Sequence, residues 1–550
     1  MRKTCISLLL LFVAATSFAQ NLNPQVQVTN DYQSTAPDIR KQDVPVSIPD
    51  SVLHFDYTFD YSVFDNPFKG AYEFTPYVID YTPGKSRFSG NNLFVKAGAG
   101  YSLYPELDAV YSPTPAGNYS MSIVQDLDGY YGDYWKVGPV NGIPQKLGVF
   151  AIPQQGYDFR EDFAVQGRWG LKKADLGWKA DYDGIFFKDW MQHGNYHSAG
   201  LKLSAKSNVS TEKSLYYDIN LQGRFSSDIV SHPFSSPSLY ETDARLYGSV
   251  GPVLDKTYRV LVDYDSRYNR MDGSYAGRSV SEYALVPHVV LAAGMFNIDA
   301  GARLDYVAGQ LGAAPDLKVY VDLLKSTLRV FAGADGGRHM LTYSDFKRYD
   351  HFFTPAYTED FQNVTREKIN AFAGFTGHIG AHFNYEAKAS YEVVNGAPLE
   401  TVALTQTSVL PGIDFLDFNV LAAEASVSWD SRSFSFDADA VYRKTTLNGK
   451  GAAFDLPAVV GNAKALYNYR SRVYVGASFE CQSSRKALIE SGELLEIPMW
   501  FDLGAYAEYW FGPKFSVWVR GGNLLNDFIR RNPFHIERGI NGTAGISILL

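Results

Sequence analysis

Past its N-terminus, this chain has no apolar run approaching 18 residues, which excludes a transmembrane helix. Cysteine is almost missing. Cys5 and Cys481 are the two present, and Cys5 falls in a leader described below. Cys481 is then alone, so an internal disulfide is excluded, and a lone thiol in a strand is more often packed than reactive. There is no basic excess: 50 Lys and Arg stand against 59 Asp and Glu, a formal net charge of −9, which argues against nucleic acid as a partner. No clear helical segment interrupts the chain. No nucleophile motif, phosphate loop or paired-acid constellation stands out, so the chain is not expected to be an enzyme or to hold a cofactor. His193 and His197 lie four apart in an expected loop, without the further ligands a metal site needs.

What is there is a two-residue rhythm. Leu215, Tyr217, Ile219 and Leu221 are apolar, while Asp218, Asn220, Gln222 and Arg224 between them are polar. Phe434, Phe436, Ala438, Ala440 and Tyr442 alternate in the same way with Ser435, Asp437, Asp439 and Arg443. Segments 176–187, 383–392 and 501–511 repeat the pattern. Successive strand side chains point to opposite faces, so each stretch reads as a strand with one oily and one wet face. Recurring nearly to the C-terminus, the pattern predicts an all-β fold: a transmembrane antiparallel β-barrel, oily outside and polar inside. The mean hydropathy of −0.18 agrees, because half of each such strand faces water. Tyr (38) and Phe (36) are abundant, as the interfacial girdles of a barrel require.

The N-terminus supplies an address. Arg2 and Lys3 precede a short apolar run, Ile6 to Ala15, and Ser17-Phe18-Ala19 is a small-x-small cleavage site. Residues 1–19 therefore read as a signal peptide, with the mature chain starting at Gln20. Residues 20–89 are polar and punctuated by Pro24, Pro37, Pro45, Pro49, Pro67, Pro76 and Pro83, and read as an extended periplasmic N-terminal arm. Residues 90–550 are the barrel. Export, many amphipathic strands and no helical span together place the chain in an outer membrane, with its lipid as the first partner.

Connection lengths give the topology. Short turns are expected at 113–117, 173–175, 208–213, 255–257, 294–297, 325–327, 430–433, 470–472 and 512–514. Longer connections alternate with them, among them 126–161, 188–198, 342–367 and 395–416. Barrels of this kind have short periplasmic turns and long extracellular loops, so both termini fall in the periplasm. Threading strands between these connections gives about 22. Tyr258, Phe383, Phe434 and Phe515 open strands that leave short turns and would form the inner girdle.

The strand at 515–520 runs into Gly521-Gly522-Asn523-Leu524-Leu525-Asn526-Asp527 before a loop and a final strand at 539–550. That ending resembles the C-terminal end of TonB-dependent receptor barrels, which also have about 22 strands. The arm, with Val26-Gln27-Val28-Thr29-Asn30-Asp31-Tyr32, resembles plugless relatives of these receptors in Bacteroidota. The resemblance implies a large outer-membrane barrel. A receptor of that family fills its lumen with a plug domain larger than the arm at 20–89, so TonB is not expected as a partner. Something else should narrow the lumen: the arm, infolded loops, or a periplasmic or outer-membrane protein.

By alternation, Lys179, Asp181, Asp183, Asp218, Arg224, Asp263, Asp265, Glu386, Lys388, Asp437, Asp439, Arg443, Asp502, Glu508 and Arg520 are expected to face the lumen. They read either as a polar permeation path or as mutually paired charges in a wet interior. Tyr130, Tyr131, Tyr134 and Trp135 form an expected extracellular aromatic loop, able to stack on a sugar, to seat a partner, or to fold back on itself. The functional expectation is a transport channel or receptor-like porin for an unknown solute. The alternative is a non-transporting barrel subunit of an outer-membrane assembly.

Overall fold

The computed structural model describes residues 92–550, apart from 102–103, 134–136, 141–142, 147–154, 189–192, 209–213, 232–236, 255–256, 275–276, 325–326, 354–363, 405–408, 448–455, 490–493 and 532–538. The expected signal peptide and arm lie outside these residues. Strands are numbered in chain order. β1 (Leu93–Gly100), β2 (Glu106–Tyr111) and β3 (Tyr119–Asp133) lead to a small hairpin of β4 (Val137–Val140) and β5 (Ile143–Lys146). β6 (Gln155–Gly170), β7 (Ala174–Lys188), β8 (His193–Ser207), β9 (Ser214–Ser231), β10 (Ser238–Val253) and β11 (Tyr258–Gly273) follow. Next come β12 (Arg278–Ala293), β13 (Phe296–Val307), β14 (Gln310–Leu324) and β15 (Leu328–Met340), and then a helix, α1 (Tyr343–Tyr349). β16 (Val364–Ile379), β17 (Phe383–Leu404), β18 (Val409–Asp430), β19 (Phe434–Leu447), β20 (Val459–Tyr469) and β21 (Val473–Gln482) continue the wall. A second hairpin, β22 (Arg485–Ile489) with β23 (Leu494–Ile497), precedes β24 (Trp500–Trp510), β25 (Phe515–Gly522) and β26 (Asn541–Leu549).

Each wall strand pairs antiparallel with the next. β26 returns to β1, with Phe94 opposite Leu549 and Gly100 opposite Thr543. The sheet is thereby closed into a barrel of 22 strands, with the two small hairpins outside the ring. Closure leaves no strand edge, so every wall amide can bond within the membrane. No helix among the described residues is long and apolar enough to cross a membrane.

The exposed apolar side chains define the lipid face. On β9 these are Leu215, Ile219, Leu221 and Phe225, and the alternate residues Asn220, Ser226 and Asp228 are buried on the inner face. Trp169, Phe296, Trp429, Phe434, Phe511 and Phe515 are exposed aromatics near the short turns. Tyr240, Tyr268, Tyr283, Tyr306, Tyr391 and Tyr442 are their counterparts toward the other end. Phe296 and Tyr306 bracket β13, and ten residues at roughly 45° of tilt span about 24 Å, the height of an outer-membrane apolar band.

At the seam, β1 and β26 meet with Gly98 opposite Gly545. Trp518 of β25 lies across both: a Cβ built at either glycine would stand 2.5 Å from its indole. Glycine is needed here because a flat ring covers the backbone. Lys96 stacks on the same indole, 4.5 Å from its centroid, and its ammonium lies 2.8 Å from Glu106. Arg520 reaches the other oxygen of Glu106 at 2.6 Å.

Several connections differ from the sequence reading. The expected loops at 188–198 and 395–416 are largely strand, since β7–β8 and β17–β18 continue beyond the apolar band. Two connections on the side of the long loops were missed, one at 101–105 between β1 and β2 and one between β13 and β14. Ala308 and Gly309, with φ of 50° and 83°, turn β13 into β14 in two residues, a left-handed pair suited to a tight hairpin.

Candidate functional site: the roofed extracellular mouth

The inner wall is a lattice of charges, and register decides who meets whom. Asp181 and Asp183 of β7 both bond Arg224 of β9, Asp183 at 2.9 Å. Arg245 pairs with Asp265 at 2.5 Å, and Arg267 with Asp243 at 2.7 Å. Asp263 lies 3.4 Å from His288, which also meets Asp299 at 2.6 Å. Asp218 accepts from Asn220 at 2.8 Å. Lys388 stands 3.8 Å from Glu424, and Asp439 accepts from Asn462 at 3.0 Å. Glu508 is buried and accepts from Ser516 at 2.5 Å and Tyr506 at 3.0 Å. Asp502 accepts the Asn523 amide at 3.0 Å. By strand alternation Lys179, Glu386, Asp437 and Arg443 share this inner face. The lattice joins many of the lumen candidates into ion pairs on the β6–β13 side of the ring.

The connection after β15 does not rise away from the barrel. Met340 N donates to Glu282 at 2.8 Å, and α1 then packs on the inner wall. Thr342 caps α1 by accepting from Asp345 N, while the Asp345 carboxylate accepts from Thr342 N at 3.0 Å. Glu241 of β10 meets the helix start. It accepts Tyr343 N at 2.8 Å, Ser344 N at 3.0 Å and the Ser344 hydroxyl. A carboxylate is favoured there because the first amides of a helix lack partners. Asp228 of β9 accepts the Tyr343 hydroxyl and Lys347 Nζ, the latter at 2.9 Å, and both Lys347 and Asp228 are wholly buried. Burial, together with Asp228, holds the Tyr343 hydroxyl protonated well above its usual range, so it donates. Lys347 also donates to Phe353 O at 2.8 Å and lies 4.9 Å from the Phe187 ring. Arg348 reaches Asp183 at 2.5 Å.

An apolar cluster covers this polar contact. Tyr343, Phe346 and Phe353 pack with Ile185, Tyr196, Leu239 and Met271 of the wall. Ile413 and Phe415 of β18 pack against the same cluster. β18 stands between seven and eleven places round the ring from the strands that supply those wall residues, so this contact is made across the mouth. Two further elements join the roof. β4 lies alongside β18, and β22 pairs in parallel with β17 at Thr401 and Val402. From the other side the segment after β25 turns inward. Ile529 is buried, and Arg531 bonds Glu480 and Asp502 and stacks 4.7 Å over Trp500.

The aromatic-loop expectation is corrected for two residues. Tyr130 and Tyr131 sit on β3, whose ladder with β6 runs on to Asp133. Tyr130 points inward and is buried against Tyr104, 5.2 Å between ring centroids, while Tyr131 points outward. Strand pairing outlasts the apolar band here and takes these two residues into the ladder. Tyr134 and Trp135 lie outside the described residues. His193 and His197 are likewise on β8, not in a loop. Each hydrogen-bonds a tyrosine, Tyr157 at 2.7 Å and Tyr182 at 2.8 Å. Among the described residues no group of three His, Cys, Asp or Glu is placed to hold a metal. Sequence reasoning missed α1, although Thr342 followed three residues later by Asp345 is a capping signal.

The Gly-Gly-Asn-Leu-Leu-Asn-Asp run acquires a physical reason. Asn523 and Asn526 adopt left-handed backbones, φ 44° and 52°, which asparagine tolerates. Asn523 is buried, donates to Asp527 O at 2.9 Å and accepts Asp527 N at 2.9 Å. Asp527 in turn accepts Phe501 N at 2.9 Å, so the run ties the end of β25 to the start of β24.

No protein-family model matches the chain, and no curated protein matches it in sequence. Solved structures do match in fold. The FrpB iron transporter from Neisseria meningitidis aligns with a TM-score of 0.64 at 8% identity, over 84% of this chain and 83% of its own. The copper transporter OprC aligns at 0.61 and 12% identity, over 84% and 80%. A mutant of the ferric enterobactin receptor PfeA from Pseudomonas aeruginosa aligns at 0.59 and 10% identity, over 84% and 80%. These likenesses show a shared fold, the large closed β-barrel of these two transporters and this receptor.

Proposed function

We propose that this receptor-like outer-membrane barrel is a transport channel, with solute passing through its lumen. The observation that supports this reading is a closed cylinder of 22 strands with a hydrophilic inner face, roofed by its own extracellular connections. The named cargoes of the fold neighbours differ among iron, copper and ferric enterobactin, so the fold alone selects no solute. In this reading segment 20–89 is a periplasmic arm, and passage does not require TonB. Single-channel conductance of the purified protein tests transport. Removing residues 341–353 should raise conductance and sensitivity to bulky antibiotics. A barrel that stays silent after that removal, and co-purifies with another outer-membrane protein, would favour the non-transporting subunit. Uptake that vanishes when TonB is lost would restore an energy-coupled receptor.

A further inference from the structure

We infer that the segment from Tyr343 to Phe353 is a releasable lid, latched to the wall by Asp228 and Glu241. Its backbone joins no ladder of the barrel. It is held by side chains and by amides given to carboxylates: Tyr343 N and Ser344 N on Glu241, Lys347 Nζ and the Tyr343 hydroxyl on Asp228. A permanent filler of a protein interior is best made apolar, because burying an ion pair gains little over apolar packing of the same volume. Ionic contacts have another property: once parted, both partners recover much of their lost energy in water. Asp228 and Glu241 project into a polar lumen, so water can replace the lid at the same carboxylates. The latch is therefore stable when shut and tolerable when open.

The remaining contacts are few enough to give way together. Arg348 on Asp183 shares that carboxylate with Arg224, which keeps Asp183 paired after the lid leaves. Asp345 is only 3.7 Å from Arg267, which has its own partner in Asp243. The apolar side of the lid is completed by Ile413 and Phe415 from the β17–β18 hairpin. That hairpin extends past its wall neighbours: β18 runs on from Phe418 to Val409 beyond the end of β19. Lid and hairpin are thus two halves of one closure, and moving the hairpin uncovers the lid. The inference relies on the transport reading only for what the movement does; the movement itself is measured separately.

Ser226 and Ser344 supply the test, since their hydroxyls lie 3.0 Å apart between wall and lid. In a Cys481→Ala background, Ser344→Cys alone reports exposure to a membrane-impermeant maleimide. Adding Lys347→Met or Asp228→Asn should speed labelling on the order of a hundredfold, because each leaves a buried group without its ionic partner. Ser226→Cys with Ser344→Cys should cross-link on oxidation, lower conductance at least roughly tenfold, and recover with reductant. Barrel integrity is read independently from the shift in gel mobility on boiling. Labelling of Ser344→Cys that stays equally slow whether Lys347 and Asp228 are kept or replaced, in barrels that keep the mobility shift, would overturn the lid. Labelling that accelerates while no variant conducts would leave the lid standing and sink the transport reading instead.

Discussion

Lys96 and Lys347 are both lysines buried against carboxylates, and each lies over an aromatic ring, yet they hold different things. Lys96 belongs to β1 and its partner Glu106 to β2, strands already joined by a ladder in which Ala97 faces Leu107. The strands that carry its ammonium, the indole and the glycines beneath are all joined to their neighbours by ladder hydrogen bonds. Lys347 belongs to a seven-residue helix that no ladder holds, and its partner Asp228 is the wall. The same pair chemistry therefore does two jobs. At the seam it trims a cylinder that hydrogen bonding closes; at the mouth it is itself the fastening. Backbone context, not the ion pair, decides whether such a contact is permanent.

The harshest way to probe the seam is to fill its glycine. Gly98→Leu would put a Cβ 2.5 Å from the Trp518 indole and 3.0 Å from Ala544 O. Neither neighbour can yield, because one is wedged over Gly545 and the other is backbone. The penalty is about 3 kcal/mol or more, and it falls on the pairing that closes the ring. We expect no heat-modifiable band and little protein in the outer membrane. Normal assembly of Gly98→Leu would mean that Trp518 is not locked across the seam.

A milder change asks whether the wall is as unforgiving away from the seam. Ala440 is exposed on the lipid side of β19, opposite Ala425, while Asp439 shares the inner face with Asn462. Arginine at a mid-bilayer lipid-facing position costs roughly 2–4 kcal/mol, and inner-face changes cost less. Ala440→Arg should lower the temperature of the gel-mobility transition more than Asp439→Arg. Equal shifts would place the register of β19 out by one residue.

These contrasts also explain what the sequence could reveal. Within the apolar band one face meets lipid and the other water, so Leu215–Leu221 and Phe434–Tyr442 print both strand and facing into their alternation. The tally of about 22 strands follows from that signal and from the short turns. Above the band both faces meet water or other loops, and the period fades. Tyr130 and Tyr131 therefore read as loop although they sit on β3, and so does most of 395–416. The lid was hidden for a further reason. Its seven helical residues are too few for a periodic stripe, and its direction is set by Glu241 and Asp228, more than a hundred residues earlier. The missed turn at Ala308-Gly309 is short because nothing is built on it.

The smallest effect sharpens the comparison most, because it is an expected absence of change beside a measurable one. Lys96→Met keeps the indole contact and removes the charge, leaving Glu106 with Arg520 at 2.6 Å. Part of the pair is thus replaced, and the loss should be about 2 kcal/mol, below the 3–5 kcal/mol typical when a buried charge is abandoned outright. The midpoint of the gel-mobility transition should fall accordingly. Lys347→Met abandons Asp228 more completely, since the Tyr343 hydroxyl is the other donor to its bonded oxygen and the second oxygen has no hydrogen bond among the described residues. Its local cost should therefore exceed that of Lys96→Met. The wall does not depend on α1 for a single ladder bond, however, so releasing the lid spares the cylinder. The transition should move by less than about 0.5 kcal/mol, within the range of ordinary surface changes. Protease cutting within 341–353 should rise at the same time. A transition lowered as far by Lys347→Met as by Lys96→Met would show that the lid is part of the wall's own stability, and the distinction between seam and mouth would fail.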